Sequence, residues 1–271
     1  MSLVLLMVTS DPPLAGHAVE SGVDRIFVDL ETRGKADRQR GLGMHLSNSQ
    51  LDDVSRVRAV VPSGRLLVRI NAPWEGTADE VEAVVSAGAD FVMVPMFRDV
   101  DEIARACEAA SDRAVMVPLF ETAEAAAVAG AVMALDGVGE AYVGLNDLAL
   151  SFGQRFLFRA MLDERFGTLC EVLRGSGKPF GIGGIGRMGT GNVPADLLLG
   201  EYLRRGASRV ILSRAFRDGA ESLEDVRSAI DLRVQVDRVR RAAQACLART
   251  ADESGKSWAT LQRAIEAVAS P

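Results

Sequence analysis

The sequence predicts a (β/α)8 TIM barrel with extra helices at its C-terminal end. Three observations lead there. Eight short apolar runs alternate with amphipathic helical stretches, glycine signals recur between helix and run, and charged residues gather where several runs stop. The runs occupy residues 3–8, 25–30, 65–70, 91–95, 115–120, 141–145, 179–182 and 210–213. Strands alternating with helices pair in parallel through right-handed crossovers, and eight such units are what a closed barrel requires. A doubly wound open sheet is the alternative arrangement of the same units.

In chain order, the run at 3–8 lacks a basic flank and leads into Asp11-Pro12-Pro13 rather than a small-residue cleavage site, so it is expected as a first strand and not a signal. His17 falls in the helical stretch before the second run and is expected to be a packing or surface residue. Gly88-Ala-Asp90, after the helical stretch 79–87, and Gly206-Ala-Ser208, after 195–205, end a helix and lead into the next strand. Beyond the eighth run, 222–250 and 257–269 are expected as two helices separated by Ala251-Asp-Glu-Ser-Gly-Lys256. They exceed one closing helix, so residues 220–271 are expected to cap the barrel or pack on a neighbouring copy. Residues 1–271 are expected to form one domain, since no low-complexity segment or composition shift divides them.

A chain of 271 residues that is 48% hydrophobic can bury a large core. Its formal charge of −6 argues against nucleic acid or an anionic membrane surface, both of which need a basic stripe. No apolar run approaches the roughly 20 residues of a bilayer span. Cys107, Cys170 and Cys246 are far apart and each sits in a helical pattern, which fits reduced core thiols and a cytoplasmic location.

In such a barrel the site lies at the C-terminal ends of the strands, which ranks residues by position alone. Asp29 and Glu31 close the second run. A buried carboxylate such as Asp29 needs a lysine, an arginine or a metal-held water close by. The following segment, Thr32 to Arg40, is dense in charge and includes Lys35; its plain alternative is a solvated loop. Arg69 ends the third run where alternation would give an apolar residue. Its planar fork suits a substrate carboxylate, and a structural ion pair with Asp29 or Glu31 is the alternative. Glu121 and Asp147 follow the fifth and sixth runs and offer only hard oxygen, which suits Mg2+, Mn2+ or calcium rather than zinc. Helix capping is their alternative.

The glycines of Gly181-Ile-Gly-Gly-Ile-Gly186, with Gly189 and Gly191, are placed after strand seven, and Ser213-Arg214 after strand eight. Barrels often cradle phosphate there, while a close-packed loop explains the glycines equally well. The spacing matches a dinucleotide fingerprint only loosely, which argues against a nicotinamide site. Of the two histidines, His45 is the one that could reach the rim as an acid or base.

Together, Gly22-Val-Asp-Arg-Ile-Phe-Val-Asp-Leu-Glu31, Val68-Arg-Ile-Asn71, Gly88-Ala-Asp-Phe-Val-Met-Val-Pro95, Glu121-Thr-Ala-Glu-Ala125 and Val143-Gly-Leu-Asn-Asp-Leu148 resemble the HpcH/HpaI aldolase and citrate lyase superfamily, from about residue 14 to 216. The resemblance implies that Glu121 and Asp147 bind the metal, that Arg69 holds the substrate, and that Asp29 and Glu31 order waters or the electrophile. Within the same motifs, Pro95 and Gly144-Leu145-Asn146 are expected to line the substrate pocket. A homo-oligomer is also implied, often a hexamer in which C-terminal helices pack across protomers. Two departures stand out. The pyruvate aldolases of the group carry a histidine where this chain has Thr32, and the citrate lyase branch usually has a further aspartate after the glutamate, absent here.

The expected activity is that of a Mg2+- or Mn2+-dependent carbon–carbon lyase or aldolase acting on a small 2-oxo acid through an enolate. Lys35, His45 or a metal-held water at Asp29 or Glu31 would move the proton. The alternatives are phosphoenolpyruvate chemistry, a citrate lyase-like acyl-CoA reaction, and a barrel that binds a 2-oxo acid without turnover.

Overall fold

The computed structural model describes residues 3–33 and 49–269; Lys35 and His45 lie outside the described residues. Eight parallel strands close into a barrel in sequence order: β1 Val4–Val8, β2 Arg25–Asp29, β3 Leu66–Arg69, β4 Phe91–Val94, β5 Val115–Phe120, β6 Ala141–Val143, β7 Phe180–Ile185 and β8 Arg209–Leu212. Strand β1 pairs with both β2 and β8, which closes the ring and excludes the open sheet.

Side chains alternate across each strand, and the alternation sorts two cores. Leu6, Phe27, Leu67, Met93, Val117, Leu119 and Tyr142 fill the barrel interior. Their neighbours Leu5, Ile26, Leu66, Val92, Met116 and Val143 face the helices and join the larger outer core. Each such side chain, fully buried, contributes about 1.5–3 kcal/mol. Charge marks both ends of the apolar plug. At the N-terminal end, buried Glu140 pairs with Arg25 of β2 and accepts a hydrogen bond from Arg209 Nε of β8 at 2.9 Å. The Arg25 guanidinium also lies 3.7 Å from the centre of the Phe91 ring.

The helices between strands are α1 Pro12–Glu20, α2 Leu51–Arg58, α3 Thr77–Ser86, α4 Val100–Ala110, α5 Ala123–Ala127, α6 Ala129–Met133, α7 Leu145–Ser151, α8 Glu164–Gly175 and α9 Ala195–Arg204. Their starts follow ordinary chemistry. Asp11 accepts from Leu14 N at 3.0 Å ahead of the prolines of α1, and Asp99 with Glu102 forms a capping box on α4. His17 lies in α1. The three cysteines are free and lie in helices, and burial pushes the Cys170 thiol up to about 12.

Two expectations need correction. Gly181 to Ile185 is not a loop after strand seven but part of β7 itself, with an irregular register against β8 between Gly181 and Gly184. A Cβ at Gly181 would sit 2.2 Å from the Tyr142 ring, so that glycine makes room for an interior aromatic. The C-terminal segment also divides differently, into α10 Leu223–Ala229, α11 Leu232–Leu247 and α12 Ala251–Ala269. Ile230 is extended and Asp231 caps α11 by accepting from Val234 N at 3.0 Å. The supposed linker opens α12, because Thr250 and Glu253 form a reciprocal pair: Thr250 N donates to Glu253 Oε2 at 2.8 Å and Glu253 N donates to Thr250 Oγ1 at 3.3 Å. Leu261 and Ile265 of α12 are fully buried in the outer core, and α12 packs on α9 and on the 3-10 turn Leu157–Leu162. Among the described residues, no helix is long and apolar enough to cross a membrane.

Candidate active site

The strand register builds the site. Asp29 of β2 lies opposite Arg69 of β3, both at the C-terminal end of the barrel interior. Asp29 grips Arg69 with both oxygens: Nε donates to Oδ1 at 2.9 Å and Nη2 to Oδ2 at 2.8 Å. Nη2 also lies 3.2 Å from Glu31 Oε2. Burial works against the Arg69 charge, but Asp29 and Glu31 outweigh it and hold the guanidinium protonated. The ion pair weighed as an alternative for Arg69 is therefore present. Among the described residues these bonds use Nε and Nη2, so Nη1 is the nitrogen with donors to offer a ligand.

Arg69 lines a cavity of about 480 Å³ together with Glu31, Glu121, Asp147 and the backbone turn Gly144-Leu145-Asn146. Its floor is the top of the interior core, including Phe27, Met93, Leu119 and Tyr142. Glu121 is buried, and Met96 N donates to its Oε1 at 3.0 Å. Burial pushes the Glu121 carboxyl up to about 8; Arg69 opposes the shift, the negative neighbours Asp147 and Glu31 add to it, and the Met96 N–H opposes it. Capping does not account for Glu121, since Thr122 caps α5 by accepting from Ala125 N at 3.0 Å. Asp147 sits in the first turn of α7 and faces the cavity.

Two backbone positions serve that carboxylate. Met96 holds φ at 54°, a left-handed conformation that costs an L-residue roughly 1–2 kcal/mol, and its N–H is thereby given to Glu121. At Gly144 a Cβ would come within 2.6 Å of Glu121 Oε2, so no other residue fits without displacing it. The donor set suits a hard divalent cation: two carboxylates, of which Glu121 is raised by burial first and by the Asp147 charge in addition, share a cavity with Arg69. Among the described residues no three His, Cys, Asp or Glu side chains group as ligands, so substrate and water oxygens would complete the shell.

The other expected residues divide. Pro95 is buried just after β4 and is not among the residues that line the cavity; its neighbour Met96 reaches Glu121 through its backbone N–H. Thr32 lies exposed at the rim, where its N and that of Arg33 each donate to Asn71 Oδ1 at 2.9 Å. Glu80 Oε1 in turn accepts from Asn71 Nδ2 at 2.6 Å, and Arg33 stacks 4.0 Å from the centre of the Trp74 ring. Arg214 lines the cavity and donates to Glu221 at 2.5 Å. Asn146 Nδ2 is buried with no acceptor among the described residues. Met96, Leu157, Phe27 and Leu119 were not anticipated. Phe27 and Leu119 lie two positions before Asp29 and Glu121, so strand alternation alone points to them as the floor.

A family model described as HpcH/HpaI aldolase/citrate lyase matches residues 3–162. That match begins earlier than the motifs suggest and stops before β7. No curated protein matches the chain. Among solved structures, an HpcH/HpaI aldolase/citrate lyase family protein from Burkholderia cenocepacia J2315 is 18% identical, with a TM-score of 0.62 over 83% of this chain and 95% of that one. An HpcH/HpaI aldolase from Desulfitobacterium hafniense DCB-2 is 15% identical, with a TM-score of 0.60 over 78% of this chain and 86% of that one. The citrate lyase beta subunit of M. tuberculosis, solved with oxaloacetate and magnesium, is 17% identical, with a TM-score of 0.60 over 89% of this chain and 96% of that one. At such identities the structures share a fold, whereas the family model spans more than half of the 271 residues: the chain belongs to the HpcH/HpaI aldolase/citrate lyase family.

Proposed function

We propose that this protein is a divalent-metal-dependent carbon–carbon lyase or aldolase acting on a small 2-oxo acid. One observation carries the reading: a buried carboxylate, Glu121, and a second, Asp147, share a cavity with an arginine over an apolar floor. The solved citrate lyase beta subunit with oxaloacetate and magnesium supports the same ligand chemistry.

Glu121 and Asp147 would hold Mg2+ or Mn2+, which when bound supplies a Lewis acid where negative charge develops on the 2-oxo oxygen. Arg69 takes the substrate carboxylate at Nη1, with Asp29 and Glu31 fixing the fork so that little side-chain freedom is lost on binding. Asn146 Nδ2 donates to a substrate oxygen. Phe27, Met93 and Leu119 exclude water from the methyl carbon that gains or loses a proton. Thr32 cannot act as a base near neutral pH. The proton is assigned to Lys35, to His45 or to a water held by Glu31. A homo-oligomer remains part of the proposal, with C-terminal helices at the contact.

Calorimetry with Mg2+ and then oxalate, a mimic of the planar enolate, tests the site. Heat of Mg2+ binding that is lost in Asp147→Ala is expected. Parent protein that binds neither Mg2+ nor oxalate would remove the reading.

A further inference from the structure

A second cavity, of about 550 Å³, opens beside the first and shares Leu157 and Gly184 with it. Gly184 carries no side chain to divide the two. The outer walls are apolar: Phe156 and Phe158, an edge-to-face pair with centroids 5.5 Å apart, together with Val193, Leu198 and Val268 of α12. Apolar walls held open at a barrel's reactive rim, where loops ordinarily face water, mark a ligand surface, and each volume lies within the roughly 300–1,000 Å³ usual for small-molecule sites. One polar group in the wall is short of a partner. Arg187 donates Nη2 to Asp218 at 2.5 Å, while its buried Nε finds no acceptor among the described residues. A buried donor without an acceptor is costly, and a ligand oxygen would satisfy it.

We infer that this cavity seats the second substrate, a carbonyl compound with a branched-alkyl or aryl body and an oxygen that meets Arg187. The inference rests on the 2-oxo acid reading of the adjoining cavity. The carbonyl end passes Leu157 and Gly184 to reach the 2-oxo acid. There C3 of the acid loses a proton, its electron pair forms the bond to the carbonyl carbon, and the carbonyl oxygen takes up a proton. The reverse reaction breaks that bond with the same balance, and neither direction needs an oxidant or reductant. The apolar walls discriminate against small polar aldehydes, which gain nothing there.

Full-length protein with Mg2+ and pyruvate is assayed against 4-hydroxybenzaldehyde, which carries both an aryl body and a second oxygen, and glycolaldehyde, which carries the second oxygen alone. 4-Hydroxybenzaldehyde should be favoured in kcat/KM by at least about tenfold, the scale on which apolar pockets discriminate. Asn192→Trp, on the exposed edge of the cavity, and Phe158→Ala, which removes a wall, should each cut that ratio by about tenfold. Equal use of the two aldehydes, or a ratio unmoved in both variants, overturns the inference while leaving the first cavity's role intact. Saturation-transfer NMR with benzyl alcohol reads the second cavity without turnover. If no aldehyde reacts and oxalate does not bind, the 2-oxo acid reading falls, and the NMR result decides the second cavity. Transfer in the parent that is lost in Asn192→Trp supports an apolar ligand there; no transfer, or equal transfer in both, overturns it.

Discussion

Glu121→Gln removes the titration of the buried carboxylate while keeping its shape and an acceptor for Met96. A carboxyl raised in the folded state holds its proton more tightly there than in the unfolded chain. Its contribution to stability is therefore complete below the unfolded value of 4.5 and is lost as pH rises toward about 8. At about 1.4 kcal/mol per unit, the shift corresponds to an order of 5 kcal/mol in all, of which about 3 kcal/mol falls between pH 5 and pH 8. Urea unfolding of parent and variant in chelator isolates this group, because the other titrations cancel in the difference. The Gln variant should gain on the parent by about 3 kcal/mol across that pH range. Excess Mg2+ should flatten the parent's slope, since a cation bound to the folded state replaces the proton, and should leave the variant's slope as it was. A parent–variant difference that stays flat from pH 5 to pH 8 would refute the argument that crowding and burial hold Glu121 protonated.

Arg69→Lys keeps the charge but loses the fork shared by Asp29 and the ligand, so oxalate affinity should fall by about 1–2 kcal/mol; calorimetric binding as tight as the parent's would disprove the role. Gly144→Ala sets a methyl 2.6 Å from Glu121 Oε2, and Mg2+ affinity should drop by about tenfold or more. An unchanged dissociation constant would show that the carboxylate has room to move.

The ring of eight strands was legible because each strand is a compact apolar run and several helices return through a glycine turn, both local signals; α4 instead returns through Ser111 and Asp112, at φ 48° and 60°. Asp29, Arg69, Glu121 and Asp147 were legible for a related reason: charge at an apolar strand end stands out in one dimension. What sequence hid was contact between distant residues. Nothing local shows that Gly181 faces the Tyr142 ring, and the glycines at 183 and 184 hide that the strand expected over 179–182 runs on to Ile185. Met96 carries no chemical label, and its part is played by backbone. The segment 251–256 is polar and holds a glycine, which suits a linker as well as a first helical turn; the Thr250–Glu253 pair decides it for the helix. Pro95 and Met96 follow β4 directly, and only the Met96 N–H reaches the site, through Glu121.

The ion triad beneath the barrel plug ties together strands that no local hairpin could bring near. Glu140 stands 115 positions from Arg25 and 69 from Arg209, and β2, β6 and β8 are not neighbours around the ring. Its three members meet only across a finished ring. In an open sheet of the same strands these side chains would stay apart and hydrated, so the contact comes with closure and not before it. The triad thus marks closure: removing Glu140 would leave Arg25 and Arg209 near each other in the finished ring without the charge that offsets them.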